Sequence, residues 1–143
     1  MPEIINNQRK IKIATDVFQS FTEKAVSVTD QAKGKHLTVA FVSDKKIKEL
    51  NKSFREKNKP TDVLSFPYEA DEYDFDETEN FLGDVIISVE QAERQAKENN
   101  LTLETEIKQL ILHGILHLCG YDHETDRGEM NRIELKLRDK LGI

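Results

Sequence analysis

The stretch Leu112-His113-Gly114-Ile115-Leu116-His117-Leu118-Cys119-Gly120-Tyr121-Asp122-His123 holds three of the four histidines in the chain. His113 and His117 are four residues apart, so on a helix they share one face. Their imidazoles then reach a common ion at about 2.0–2.1 Å, the usual zinc–nitrogen distance. Gly120 can take the left-handed conformation that ends a helix and turns the chain sharply. That turn brings His123 back toward the same ion. Three neutral nitrogen ligands leave a fourth position open, which marks a catalytic rather than a structural zinc site. The segment therefore reads as the end of a metal-carrying helix, and metal-assisted hydrolysis is the chemistry it points to.

Working outward, this helix begins at Thr102 or Thr105 and reaches Cys119. A last helix follows from about Thr125 to Leu141, with Met130 as an ordinary core residue. Upstream, Leu82 to Val89 reads as a strand interrupted by Gly83-Asp84, and Ser88 caps a helix running to about Asn99. Val63 to Pro67 reads as a strand, placed at a sheet edge because Pro67 cannot donate a ladder hydrogen bond. Asn58 to Asp62 is expected to be a loop. His36 to Val42 is rich in β-branched residues and reads as a strand. Ser43 then caps a helix from Asp44 to about Lys57 that buries Ile47, Leu50 and Phe54. Ile4 to Asn6 forms a short first strand. A helix from about Gln8 to Val28 places Ile11, Ala14, Phe18, Phe21 and Ala25 on one face. Strands and helices mix without strict alternation. The expected fold is α+β, a small mixed sheet packed by helices, in one domain over residues 1–143.

Composition agrees with a compact domain. The chain has 143 residues, of which 37% are hydrophobic and 34% charged. No apolar run approaches the roughly 20 residues that cross a bilayer, and the start has no signal-peptide core. Cys119 is the single cysteine, which excludes an internal disulfide; it reads as a small buried residue. A reducing cytoplasm is the expected home. The net charge of −6 argues against a general nucleic-acid binder. The charges are nevertheless segregated, into a basic run from Lys45 to Lys59 and an acidic run from Glu69 to Glu79. The acidic run lacks the glycine of an EF-hand loop and reads as a solvated loop. His36, alone at a strand start, reads as a non-functional residue.

The spacing H-x-x-x-H-x-x-G-x-x-H resembles the metzincin metal pattern apart from one residue. Where that pattern has the glutamate general base, this chain has Gly114. The resemblance to the YbeY family is broader. Leu50 to Pro67 (Leu-Asn-Lys-Ser-Phe-Arg-Glu-Lys-Asn-Lys-Pro-Thr-Asp-Val-Leu-Ser-Phe-Pro) resembles one signature of that family. Leu82-Gly83-Asp84-Val85 resembles another, and His113 to His123 its metal motif. The resemblance implies a cytoplasmic bacterial endoribonuclease, preferring single strands, in small-subunit rRNA 3′-end maturation and ribosome quality control. It implies one zinc ion on His113, His117 and His123, and a role for Arg55 in catalysis or RNA contact. The implied partners are rRNA and the ribosomal small subunit, with ribosomal proteins and an assembly GTPase as further candidates.

Three readings stay open at this level. In the first, a zinc-bound water attacks the scissile phosphate, or the metal polarises a phosphoryl oxygen while the RNA 2′-hydroxyl attacks. Arg55 then offsets the developing charge, nearby lysines supply backbone affinity, and His113 and His117 carry the catalytic ion. Asp84, Asp122 and Glu124 are the candidate bases, although Asp122 can instead orient a ligand histidine. The second reading is a metallopeptidase on the same scaffold, against which Gly114 counts. The third is a non-enzymatic ribosome-assembly factor whose metal only orders the C-terminal half.

Overall fold

The computed structural model describes residues 2–55, 61–68, 80–122 and 125–143, with Arg55 described by its backbone alone. The elements in chain order are β1 (Glu3–Asn6), α1 (Thr15–Val28), a short 3-10 turn (Asp30–Ala32), β2 (His36–Val42), α2 (Asp44–Arg55), β3 (Val63–Pro67), β4 (Phe81–Ser88), α3 (Val89–Glu98), α4 (Leu103–Leu118) and α5 (Glu129–Leu141). The four strands form one sheet in the order β1-β2-β4-β3. β1, β2 and β4 run parallel, and β3 is antiparallel to β4 at the edge. This is the expected mixed α+β architecture, with the proline-ended strand outermost. The expected acidic loop, most of the 58–62 loop and the helix end at Lys57 lie outside the described residues.

Strand alternation divides the core. On β2, Leu37, Val39 and Phe41 face α1, α3 and α4, joined there by Val85 and Ile87 of β4. Val42 faces the other side, where Ile47 of α2 and Leu64 of β3 complete a smaller cluster. The central element is α4. Its Ile107, Ile111 and Ile115 recur every four residues and are fully buried. Each such burial contributes about 1.5–3 kcal/mol, so tertiary packing anchors this helix more strongly than its propensity does. α5 lies on the far side of α4, packing Met130 and Leu137 against Leu112 and Leu116.

Several elements depart from the sequence expectation. α1 starts at Thr15 and not at Gln8. The Gln8 side chain instead accepts from the Ile11 amide at 3.0 Å and donates to the Ile11 carbonyl at 2.7 Å. These local bonds offer the backbone an alternative to helix, and Ile11 still packs on the core from a loop. α5 starts at Glu129, because the Asp126 carboxylate accepts from the amides of Gly128 and Met130, each at 2.8 Å. β4 runs unbroken through Gly83, which sits at φ +141° beside a register shift opposite His36 and Leu37. Phe54 is not buried but 66% exposed. Its ring instead rests edge-to-face on Phe66 of the edge strand, with centroids 5.4 Å apart. Cys119 is half-buried, not fully buried. Met130 is a core residue as expected.

Candidate metal centre

α4 is apolar on most of its circumference, and His113 and His117 occupy the stripe left over. Their rings meet at a centroid distance of 4.6 Å and an interplanar angle of 75°. The two Nε2 atoms lie 3.1 Å apart. Two nitrogens about 2.0–2.1 Å from one tetrahedral ion stand roughly 3.3 Å from each other. The observed spacing thus fits shared coordination with little adjustment. His117 lies in the last turn of α4, where the negative end of the helix dipole favours a cation.

Gly120 makes the turn that the sequence foretold. At φ +98° it lets its own amide donate to the His117 carbonyl at 3.0 Å and the Tyr121 amide donate to Leu116 at 3.1 Å. This is the Schellman arrangement. It sends Tyr121 and Asp122 along the same groove as the two histidines. His123, the third expected ligand, and Glu124 lie outside the described residues. Among the described residues no three His, Cys, Asp or Glu side chains gather into a cation cage.

The groove has a volume of about 710 Å³. One wall is β3 with Thr61 and Asp62 before it, and α3 contributes Gln91 and Gln95. Asn51 of α2 also lines it, and the backbone of Arg55 follows one helical turn later. The lining therefore combines two imidazoles, hydroxyls, amides and the Asp62 and Asp122 carboxylates.

Asp84, one of the three candidate bases, is not in this groove. Its neighbour Val85 packs directly on Gly114 of α4, so alternation points Asp84 to the opposite face of the sheet. Burial raises the Asp84 pKa, with a side-chain hydrogen bond from Thr38 opposing the rise. Asp122 remains the described candidate base.

Glu134 of α5 was not singled out from the sequence. Its Oε1 lies 2.8 Å from His113 Nδ1, on the side of the ring away from His117. Arg138, one turn further along α5, faces Glu134 Oε2 at 3.7 Å. A second recess of about 500 Å³ opens behind His113, lined by Glu106, Glu134 and Arg138 among others. Burial raises the pKa of Glu106 there, and the Asp62 charge adds to the rise, while Asn99 and Arg138 oppose it. With its amide nitrogen turned toward these acids, Gln95 donates to Glu106 at 3.0 Å and to Asp62 at 3.2 Å.

The family model described as Endoribonuclease YbeY matches residues 3–142. The chain belongs to the YbeY family. A YbeY endoribonuclease of Thermodesulfovibrio yellowstonii is 40% identical, the match covering 97% of this chain and 96% of that one. Another, from Aquifex aeolicus, is 46% identical over 81% of this chain and 74% of the relative. The solution structure of a Thermotoga maritima protein superposes with a TM-score of 0.67 at 31% identity, covering 99% of this chain and 89% of that one. YbeY membership supports an endoribonuclease, and so a hydrolase. No helix among the described residues is long and apolar enough to cross a membrane.

Proposed function

We propose that the groove is the centre of a metal-dependent endoribonuclease, with one zinc ion on His113, His117 and His123. The observation that carries this reading is the 3.1 Å approach of the two Nε2 atoms at the groove. An ion bound there supplies Lewis acidity that offsets the charge gained by a phosphate under attack. Arg55 is assigned to the same charge, since a guanidinium pairs with two phosphate oxygens at once. The Thr61 and Gln91 side chains at the groove wall offer polar contacts to the sugar and phosphate of a bound strand. Asp122, which lines the groove, is assigned as the base that takes a proton from the attacking oxygen. Lys45, Lys48 and Lys52 are exposed on α2 and supply the local positive surface that the acidic chain as a whole lacks.

The substrate reading is single-stranded RNA, with the small-subunit rRNA 3′ end as the biological target. Work in the cytoplasm on ribosomal particles, beside ribosomal proteins and an assembly GTPase, belongs to the same proposal. The test is metal content and cleavage of a structured rRNA fragment for wild type, His117→Ala and Arg55→Ala. Loss of both metal and cleavage is expected for His117→Ala, and loss of cleavage with metal retained for Arg55→Ala. Full cleavage by a metal-free His117→Ala protein would overturn the proposal. So would a cleavage-dead variant that still folds, binds ribosomal particles and supports rRNA processing in cells; that result favours an assembly factor.

A further inference from the structure

We infer that Glu134 is a positioning residue that selects the tautomer of His113 and holds its ring for cation binding. The inference rests on the metal reading above. A neutral imidazole has one N–H and one lone pair, and a hydrogen bond at one nitrogen decides which is which. Glu134 Oε1 at 2.8 Å from His113 Nδ1 is an acceptor, so the proton belongs on Nδ1. The lone pair then lies on Nε2, the atom that approaches His117 Nε2 at 3.1 Å. The opposite tautomer would put a proton where the ion must sit.

Burial makes this acceptor effective. Glu134 is only 5% exposed, so water competes weakly for its oxygens. Arg138 faces its second oxygen at 3.7 Å and helps orient the carboxylate. A carboxylate behind a ligand imidazole would also favour a cation at the opposite ring nitrogen. The bland alternative is a clamp between α4 and α5. The apolar contacts of Met130 and Leu137 with Leu112 and Leu116 already join those helices, so the clamp role and the positioning role separate by experiment.

Two measurements on the full chain decide the matter. The first is the nitrogen NMR spectrum of His113 in the metal-free protein, which reports the tautomer directly. Wild type is expected to hold the Nδ1–H form, and Glu134→Leu to shift toward Nε2–H. A wild-type His113 protonated on Nε2 overturns the inference without any variant having to fold. The second is zinc affinity by chelator competition for wild type, Glu134→Gln and Glu134→Leu. Glutamine keeps an acceptor for Nδ1–H and should stay within several-fold of wild type. Leucine should bind about 10–100-fold more weakly. A Glu134→Leu protein that loses thermal stability but binds zinc as wild type does shows a clamp and overturns the inference. Wild type and His117→Ala binding zinc equally would instead sink the metal reading, and with it the zinc arm, while the tautomer arm still reports on Glu134.

Discussion

Gly114 of α4 and Val85 of β4 are in such close contact that a Cβ on Gly114 would lie 2.6 Å from Val85 Cγ1 and 2.9 Å from Cγ2. The position that carries the glutamate base in the metzincin pattern is here pressed against the sheet. A glutamate would be driven into the core, uncompensated, beside a fully buried valine. Gly114→Ala sets a helix-propensity gain of about 1 kcal/mol against an overpacking cost of about 1–3 kcal/mol. A net loss of up to about 2 kcal/mol is expected in urea unfolding. Val85→Ala in the same chain should recover part of that loss, and simple additivity of the two changes would contradict the contact.

Gly83 is more constrained still. At φ +141° its Cβ would meet the Phe66 carbonyl oxygen of β3 at 2.2 Å. That neighbour is backbone and cannot rotate away. Gly83→Ala should cost about 3 kcal/mol or more, and amide exchange should rise first along β3, the strand that walls the groove. Unchanged protection there would refute the account.

Ser88 joins three elements. Its Oγ accepts from the Gln91 amide at 3.2 Å as the N-cap of α3, and donates to Asp44 Oδ1 at 2.5 Å at the start of α2. Arg94 pairs with the same aspartate. Ser88→Ala should lower stability by about 1–2 kcal/mol. Adding Asp44→Ala on top should cost less than it does alone, because the two residues share a bond; a double-mutant cycle reads this coupling.

Glu106 gives a pH dependence of definite sign. Burial raises its pKa in the folded protein, so folding favours the protonated form. Its contribution is fully present below the ordinary carboxylate pKa and is lost as pH rises through the folded value. Glu106→Gln should therefore be more stable than wild type at neutral pH. The advantage should shrink as pH falls toward the ordinary glutamate range. An advantage that stays constant from acid to neutral pH would assign it to some other cause.

If the groove holds zinc as proposed, the ion should stabilise the fold by mass action. At free zinc one hundred times the dissociation constant, the gain is about 2.7 kcal/mol. It should appear as a raised unfolding temperature that a chelator reverses. His117→Ala should show little of this gain. Equal shifts in both proteins would place the stabilising ion elsewhere.

What the sequence alone determined here is what local backbone geometry encodes. Helical spacing put His113 and His117 on one face, and Gly120 had to supply the left-handed turn, because both follow from a few consecutive residues. The edge placement of β3 followed in the same way from the missing amide hydrogen of Pro67. The tertiary structure alone decided what depends on where separate elements meet. Glu134 lies 21 residues from His113 and reaches it only because α5 packs on α4. Sheet alternation, fixed by the packing of Val85 on Gly114, removed Asp84 from the groove. Phe54 stays exposed despite its apolar spacing, covered only in part by Phe66 of the edge strand. Periodicity reports which face of an element is apolar, and only packing reports whether anything covers that face.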